Sequence, residues 1–144
     1  MSLLPNGERK QSVSSKTEHV LDSSAVLAVI VDEPGQELVK PLLDSATITG
    51  VNACEVVSKL ISRGMDTNEA IASVIEMNIE IIAFDDRLAF EAAAILPTTR
   101  VLGLSLGDRA CIARARLSGA MIVTADRAWK KLGPKLGIEI LVIR

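Results

Sequence analysis

Short aliphatic runs alternate with helical segments along almost the whole of this chain, and that alternation is what most narrows its fold. His19-Val-Leu-Asp22, Ala46–Thr49, Ile79–Phe84, Met121–Val123 and Ile138–Ile143 read as strands. The segments between them carry helix starts and stops. Ser23–Val31 is an apolar helix behind a good capping residue, and Gln36–Leu43 is a helix with Pro41 awkwardly inside it. Asn52–Arg63 is amphipathic and stopped by Gly64, and Asp66-Thr-Asn-Glu69 opens the next helix with a capping box. Asp85 caps a helix that ends near Leu96 before Pro97, and Asp108–Ser118 closes at Gly119. Asp126 opens a last helix to about Leu132, broken by Gly133-Pro134. Such an order calls for a parallel sheet with helices on both faces. The expected fold class is therefore α/β, a three-layer α/β/α domain over residues 18–144. Residues 1–17 contain Pro5-Asn6-Gly7 and no periodicity, and read as a flexible leader.

Composition agrees with that architecture. Of the 144 residues 49% are hydrophobic and only 2% aromatic, so the core must be built from Val, Ile, Leu and Ala. A formal net charge of -2 excludes a protein that coats nucleic acid through bulk positive charge. Any contact with a polyanion has to be local, through a patch or a bound cation. Cys54 and Cys111 have no metal-binding spacing and read as small buried hydrophobes of a reducing compartment. No apolar run approaches the ~20 residues of a membrane span. The N-terminus lacks the apolar stretch of a signal peptide, so the expected location is the cytoplasm, with no membrane partner.

In an open α/β sheet, ligands bind where the carboxyl ends of the strands and their loops converge. Asp22 ends the first strand, Glu55 lies in the first turn after the second, and Asp126 follows the fourth. Asp108 heads the helix that leads into the fourth, and a right-handed crossover brings that helix start to the same edge. Each acid taken singly has an ordinary explanation. Asp22 and Asp126 suit helix N-termini, and Asn52-Ala-Cys-Glu55 and Ser105-Leu-Gly-Asp108 resemble capping boxes. Glu55 with Lys59 and Asp126 with Lys130 are also i,i+4 pairs. Four acids on one rim are harder to explain as caps alone.

Crowded carboxylates repel, and either some hold protons or a cation neutralises them. An all-oxygen donor set suits Mg²⁺ or Mn²⁺. His19, the single histidine, starts a strand away from that rim, which speaks against zinc and against a histidine base. No glycine motif that cradles a nucleotide is present. Carboxylate-bound Mg²⁺ acts mostly on phosphates. Arg109, Arg127 and Lys130 stand beside the acids as candidate substrate contacts. Of the 16 basic residues 10 fall from Arg87 onward, among them Arg114 and Arg116.

Four stretches carry a family resemblance: Val20-Leu-Asp-Ser-Ser-Ala25, Val51-Asn-Ala-Cys-Glu-Val-Val57, Gly103-Leu-Ser-Leu-Gly-Asp-Arg-Ala110 and Val123-Thr-Ala-Asp-Arg-Ala-Trp129. In this order and spacing they resemble the PIN-domain ribonucleases, and among these the VapC toxins of bacterial toxin–antitoxin pairs. The resemblance runs from Val20 to Arg144 and leaves out the leader. It implies a mainly parallel five-stranded sheet, a homodimer, and endonucleolytic cleavage of structured RNA of the tRNA or rRNA class. It further implies that Asp22, Glu55, Asp108 and Asp126 are catalytic and hold one or two Mg²⁺ or Mn²⁺ ions. Glu55 would complete the metal shell or orient the attacking water, and the products would carry a 5′-phosphate and a 3′-hydroxyl. Ser23 and Thr124 match small hydroxyl residues that support the cluster by hydrogen bonding. Asp85 and Asp86 match an acidic position near the third strand but read better here as a helix cap. The implied partner is a cognate VapB-type antitoxin that wraps the toxin and sends an arginine or similar group into the acidic pocket.

The residues alone leave a second class open, a catalytically silent α/β module that binds RNA or a protein through the same rim without metal. A receiver-type phospho-acceptor domain does not fit. It needs a lysine at the end of the last strand, where this chain has Ile143-Arg144.

Overall fold

The computed structural model describes residues 18–144, so the leader expected over 1–17 lies outside the described residues. Strands β1 (His19–Leu21), β2 (Ala46–Thr49), β3 (Glu80–Ile82), β4 (Met121–Thr124) and β5 (Ile140–Val142) form one sheet in the order β3-β2-β1-β4-β5. Every pairing in it is parallel. The helices are α1 (Ser23–Ile30), α2 (Gln36–Val39), α3 (Gly50–Ser62), α4 (Thr67–Ile75), α5 (Asp86–Ala94), α6 (Leu96–Thr99), α7 (Leu106–Ser118) and α8 (Leu132–Leu136).

Side chains alternate across a strand, and here the alternation separates two cores. Val20 and Ile122 pack with Ile112, Ala115, Trp129 and Leu132. Their neighbours Leu21 and Val123 pack with Val26, Val56, Leu60 and Val74. One face of the sheet is thus covered by α1, α3 and α4, the other by α7 and the segment around Trp129, which gives the three-layer α/β/α arrangement. A small third cluster of Leu88, Ala92 and Ala113 fixes α5 onto α7. The centre of the sheet is dry: all four residues of β2 are buried. The outer strand β3 shows Glu80 and Ile81 to solvent. Among the described residues no helix is long and apolar enough to cross a membrane.

Helix ends depart from the sequence reading mainly at prolines and caps. The helix expected over Gln36–Leu43 is α-helical only to Val39, then tightens into a 3₁₀ segment, Lys40–Ser45, with Pro41 in its first turn. A proline there gives up a backbone donor that a first turn does not use. Pro97 does not follow the end of helical structure but opens α6, in the same way. The helix expected from Asp126 to Leu132 is a 3₁₀ turn, Arg127–Lys131, and Gly133-Pro134 lie inside the first turn of α8 rather than breaking it.

Gly35, in the turn after α1, has φ 97°. A Cβ built there would lie 2.5 Å from the Ile143 carbonyl oxygen and 2.8 Å from its Cγ1, so this turn is pressed against the chain just beyond β5. Gly35→Ala meets both a left-handed backbone and an occupied space. It is expected to cost about 1–3 kcal/mol of stability, read as a lower urea midpoint with an unchanged m-value.

Candidate functional site

From β1 at the centre, the chain builds outward to β2 and β3 on one side, then returns to lay β4 and β5 on the other. The carboxyl ends of β1 and β4 therefore flank the switch point of the sheet, where open α/β folds bind ligands. Asp22 stands there. Its N–H donates to the Val123 carbonyl at 2.9 Å, and its side chain is only 6% exposed. It occupies the N-cap position of α1 yet makes no capping hydrogen bond. Its Oδ2 instead accepts from Ser24 Oγ at 2.7 Å and Thr124 Oγ1 at 2.9 Å. These hydroxyls also accept from the β4 side, Ser24 from Ala125 N at 2.9 Å and Thr124 from Asp126 N at 3.0 Å.

Glu55 belongs to a second network, and it does not close a capping box with Asn52. The cap of α3 is Thr49, whose hydroxyl accepts from Asn52 N at 3.1 Å, so Glu55 falls in the second turn. Asn52 is fully buried. Thr49 Oγ1 donates to its Oδ1 at 2.6 Å, which leaves the amide Nδ2 to donate to Glu55 Oε1 at 3.1 Å and to the Gly107 carbonyl at 3.0 Å. Ser23 Oγ adds a 2.6 Å bond to the same Glu55 oxygen. Gly107, in the first turn of α7, lies so close to the Glu55 carboxylate that a Cβ there would overlap it. Glu55 thus joins the starts of α1 and α3, and the Asn52 amide ties the start of α7 to the same network.

Asp108 and Asp126 do serve as caps. Asp108 Oδ2 accepts from Ser105 N at 2.9 Å in a complete capping box, and Asp126 Oδ1 accepts from Ala128 N at 2.9 Å. Asp22, Glu55 and Asp108 are electrostatic neighbours, because all three act on the buried thiol of Cys111. Burial first, then these three charges, push that thiol well above its usual value. Asp22 itself is shifted upward, chiefly by burial and further by Asp108, against the opposing hydrogen bonds from Ser24 and Thr124. Asp126 is exposed and is tied to the others through Thr124.

The donors fit a hard dication. All are carboxylate oxygens, and each acid is fastened through one oxygen, leaving Asp22 Oδ1, Glu55 Oε2, Asp108 Oδ1 and Asp126 Oδ2 with no side-chain partner among the described residues. None of the four is in an ion pair among the described residues, where the salt bridges are Arg63–Glu33, Arg114–Glu18, Arg116–Glu91 and Arg144–Glu33. The expected Glu55–Lys59 and Asp126–Lys130 pairs are therefore not formed. Among the described residues no three His, Cys, Asp or Glu side chains stand close enough as they are to share one ion.

The basic residues are dispersed. Arg109 turns away from the acids, donating through Nη1 to the Ala92 carbonyl at 2.9 Å, and Arg127 donates to the Arg144 carbonyl at 2.9 Å. Arg114 and Arg116 are held by Glu18 and Glu91. Lys130 is exposed. Asp85 caps α5, accepting from Leu88 N at 2.9 Å. Cys111 is buried as expected, but Cys54 is exposed, because it lies on the outer side of α3. Sequence reasoning missed Ser24, Asn52 and Gly107. The one available signal was Asn52, a polar residue spaced three from both Thr49 and Glu55.

Acidic side chains along the carboxyl edge of an all-parallel five-stranded sheet, at its switch point, define an α/β domain with an acidic rim. The PIN domain family matches over residues 19–134, and the chain belongs to that family. Its fold is similar to that of VapBC2 from Rickettsia felis bound to a promoter DNA fragment, at a TM-score of 0.68 and 15% identity over 88% of this chain and 98% of that one. It is likewise similar to DNA-bound VapBC from Salmonella typhimurium, at a TM-score of 0.67 and 17% identity over 90% and 100% of the two chains. VapBC-5 from Mycobacterium tuberculosis gives a TM-score of 0.61 and 19% identity over 89% and 100%. No curated protein matches the chain.

Asp22 generates a stability prediction. Because its folded value lies above the ordinary 3.8, the native state binds the proton more tightly than the unfolded chain. Stability is then lost as pH rises from below 3.8 through the raised folded value. Asp22→Asn keeps an oxygen for Ser24 and Thr124 and removes the buried charge. In chelator at neutral pH its melting temperature is expected to exceed that of the wild type by about 2–4 °C for each kcal/mol relieved, with the excess shrinking as pH falls toward 4.

Proposed function

We propose that this PIN domain is a metal-dependent endoribonuclease, the toxin of a toxin–antitoxin pair, acting on structured RNA of the tRNA or rRNA class. The observation that carries the reading is the set of four acids at the switch point, each anchored through one oxygen and none neutralised by a basic side chain among the described residues. Asp22, Glu55, Asp108 and Asp126 would hold Mg²⁺ or Mn²⁺. When bound, such an ion supplies a more acidic water and neutralises charge on the scissile phosphate.

The chain's own residues prepare the site. Ser24 and Thr124 orient the Asp22 carboxylate from one side, and Ser23 and Asn52 orient Glu55 from the other. Asp108 and Asp126 take their positions from the backbone turns they cap. Orienting carboxylates in this way is what a phosphoryl-transfer site needs, since orientation supplies much of the rate. Family membership supports the nuclease activity, and the VapBC complexes of similar fold support a VapB-type antitoxin as partner. A homodimer and a cytoplasmic location complete the reading.

Asp22→Ala and Asp108→Asn are each expected to lower the rate of RNA cleavage with added Mg²⁺ by at least about a hundredfold, with unchanged circular dichroism. Cleavage by either variant at the wild-type rate would overturn the mechanism. Calorimetric titration with Mn²⁺ separates this reading from a metal-free binding module, which predicts no heat dependent on these carboxylates.

A further inference from the structure

A groove of about 550 Å³ runs along the outer side of α3 and shares a wall with the acidic site. Gly50, Val51, Cys54, Glu55, Lys59 and Phe84 line it. The α3 residues recur at helical spacing and so form one face. Gly50 follows β2 directly and Phe84 stands just past β3, so the groove begins at the carboxyl edge of the sheet that also carries Asp22. A Cβ on Gly50 would lie 3.6 Å from the Ile82 carbonyl and 4.0 Å from Phe84 N, so the two strand ends meet closely there. The walls are apolar between two charged residues, Glu55 and Lys59.

We propose that this groove is a subsite for one unpaired nucleobase of the RNA substrate, stacked on Phe84, with Lys59 meeting an adjacent phosphate. The proposal rests on the ribonuclease reading and deepens it. Continuity supports it, because Glu55 belongs to both the acidic cluster and the groove wall, and a strand crossing the acids has the groove beside it. Chemistry supports it as well. Phe84 is one of only 2 phenylalanines in a chain with no tyrosine and 1 tryptophan, and that tryptophan is wholly buried. Phe84 is half-buried, with one side packed on the cluster of Leu88, Ala92 and Ala113, which holds the ring in place. A fixed aromatic face beside a cation is how proteins bind single-stranded bases without reading a sequence. Lys59 is exposed and in no ion pair among the described residues, so its charge is available. The cavity is of ordinary size for a small planar group.

The test is steady-state cleavage of an RNA hairpin by the full chain with Mg²⁺, with a single abasic position scanned through the loop. Phe84→Ala is expected to raise KM roughly tenfold while kcat stays within about twofold, and Phe84→Trp to restore KM. For wild type, one abasic position should cause the same loss, and at that position Phe84→Ala should lose nothing further. A merely structural role for Phe84 would lower the melting temperature and leave the two losses additive everywhere. Should Phe84→Ala fail to fold, N-ethylmaleimide on exposed Cys54, which spares buried Cys111, blocks the groove in the folded protein and is expected to raise KM likewise. Additive losses at every position, or an unchanged KM after either manipulation, overturns the subsite and leaves the groove to a side chain of a protein partner. A wild-type protein that cleaves no RNA overturns the ribonuclease reading and the subsite with it. Normal cleavage that is insensitive to Phe84 and lost in Asp108→Asn overturns the subsite alone.

Discussion

A carboxylate held at 6% exposure between the ends of two adjacent strands is a costly feature, and much of the surrounding structure follows from keeping Asp22 there. Two hydroxyls satisfy one of its oxygens, and the N-terminus of α1 points its partial positive charge at the side chain. These contributions do not cancel the desolvation, since the group is still shifted toward its protonated form and Asp108 pushes it further. No cationic side chain takes up the remainder among the described residues. A structural buried acid is normally given an arginine or lysine, because an uncompensated charge destabilises strongly. At Asp22, by the switch point of the sheet, that partner is omitted among the described residues, so this buried acid is not part of a structural ion pair.

Asn52 performs the complementary task on the α3 side. A buried amide has both a donor and an acceptor end, and Thr49 fixes which is which by donating to Oδ1. The donor end then faces a carboxylate and a backbone carbonyl, Glu55 and Gly107. A charged residue at this position would either neutralise Glu55 or repel it. The neutral amide orients Glu55 and leaves its charge intact. Gly107 completes the arrangement by having no Cβ, which allows the α7 backbone to approach the carboxylate directly.

The strands were readable because each is a short apolar run next to a helix start, and the four acids because each stands just beyond or just before such a boundary. What sequence could not supply is which acids merely cap. Asp22 and Asn52-Ala-Cys-Glu55 looked as cap-like as Ser105-Leu-Gly-Asp108, yet only the last forms a capping box. The difference is tertiary: Ser24 and Thr124 compete for Asp22, and Ser23 and Asn52 hold one oxygen of Glu55. Arg109 is similar. Beside Asp108 in sequence it looks like a phosphate contact, but helical spacing turns it toward α5, where it finds the Ala92 carbonyl. The general preference of free cysteine for the core fails at Cys54, because its side of α3 is not covered. Residue type and helix face are different quantities.

The division of labour among the acids has a mechanical consequence. Asp108 and Asp126 each spend one oxygen on the main chain at a helix start, so the position of the other oxygen is set by backbone geometry rather than by a free rotamer. Asp22 and Glu55 are set by side-chain hydroxyls and an amide instead. Two of the four are therefore as rigid as α7 and the turn after β4, and two depend on hydroxyl and amide groups that can themselves rotate. Asp108 and Asp126 are therefore held by the main chain whatever approaches the rim. Adjustment would fall on Asp22 and Glu55, whose supporting residues Ser23 and Ser24 are consecutive on α1. Movement at that one helix start would shift both carboxylates together.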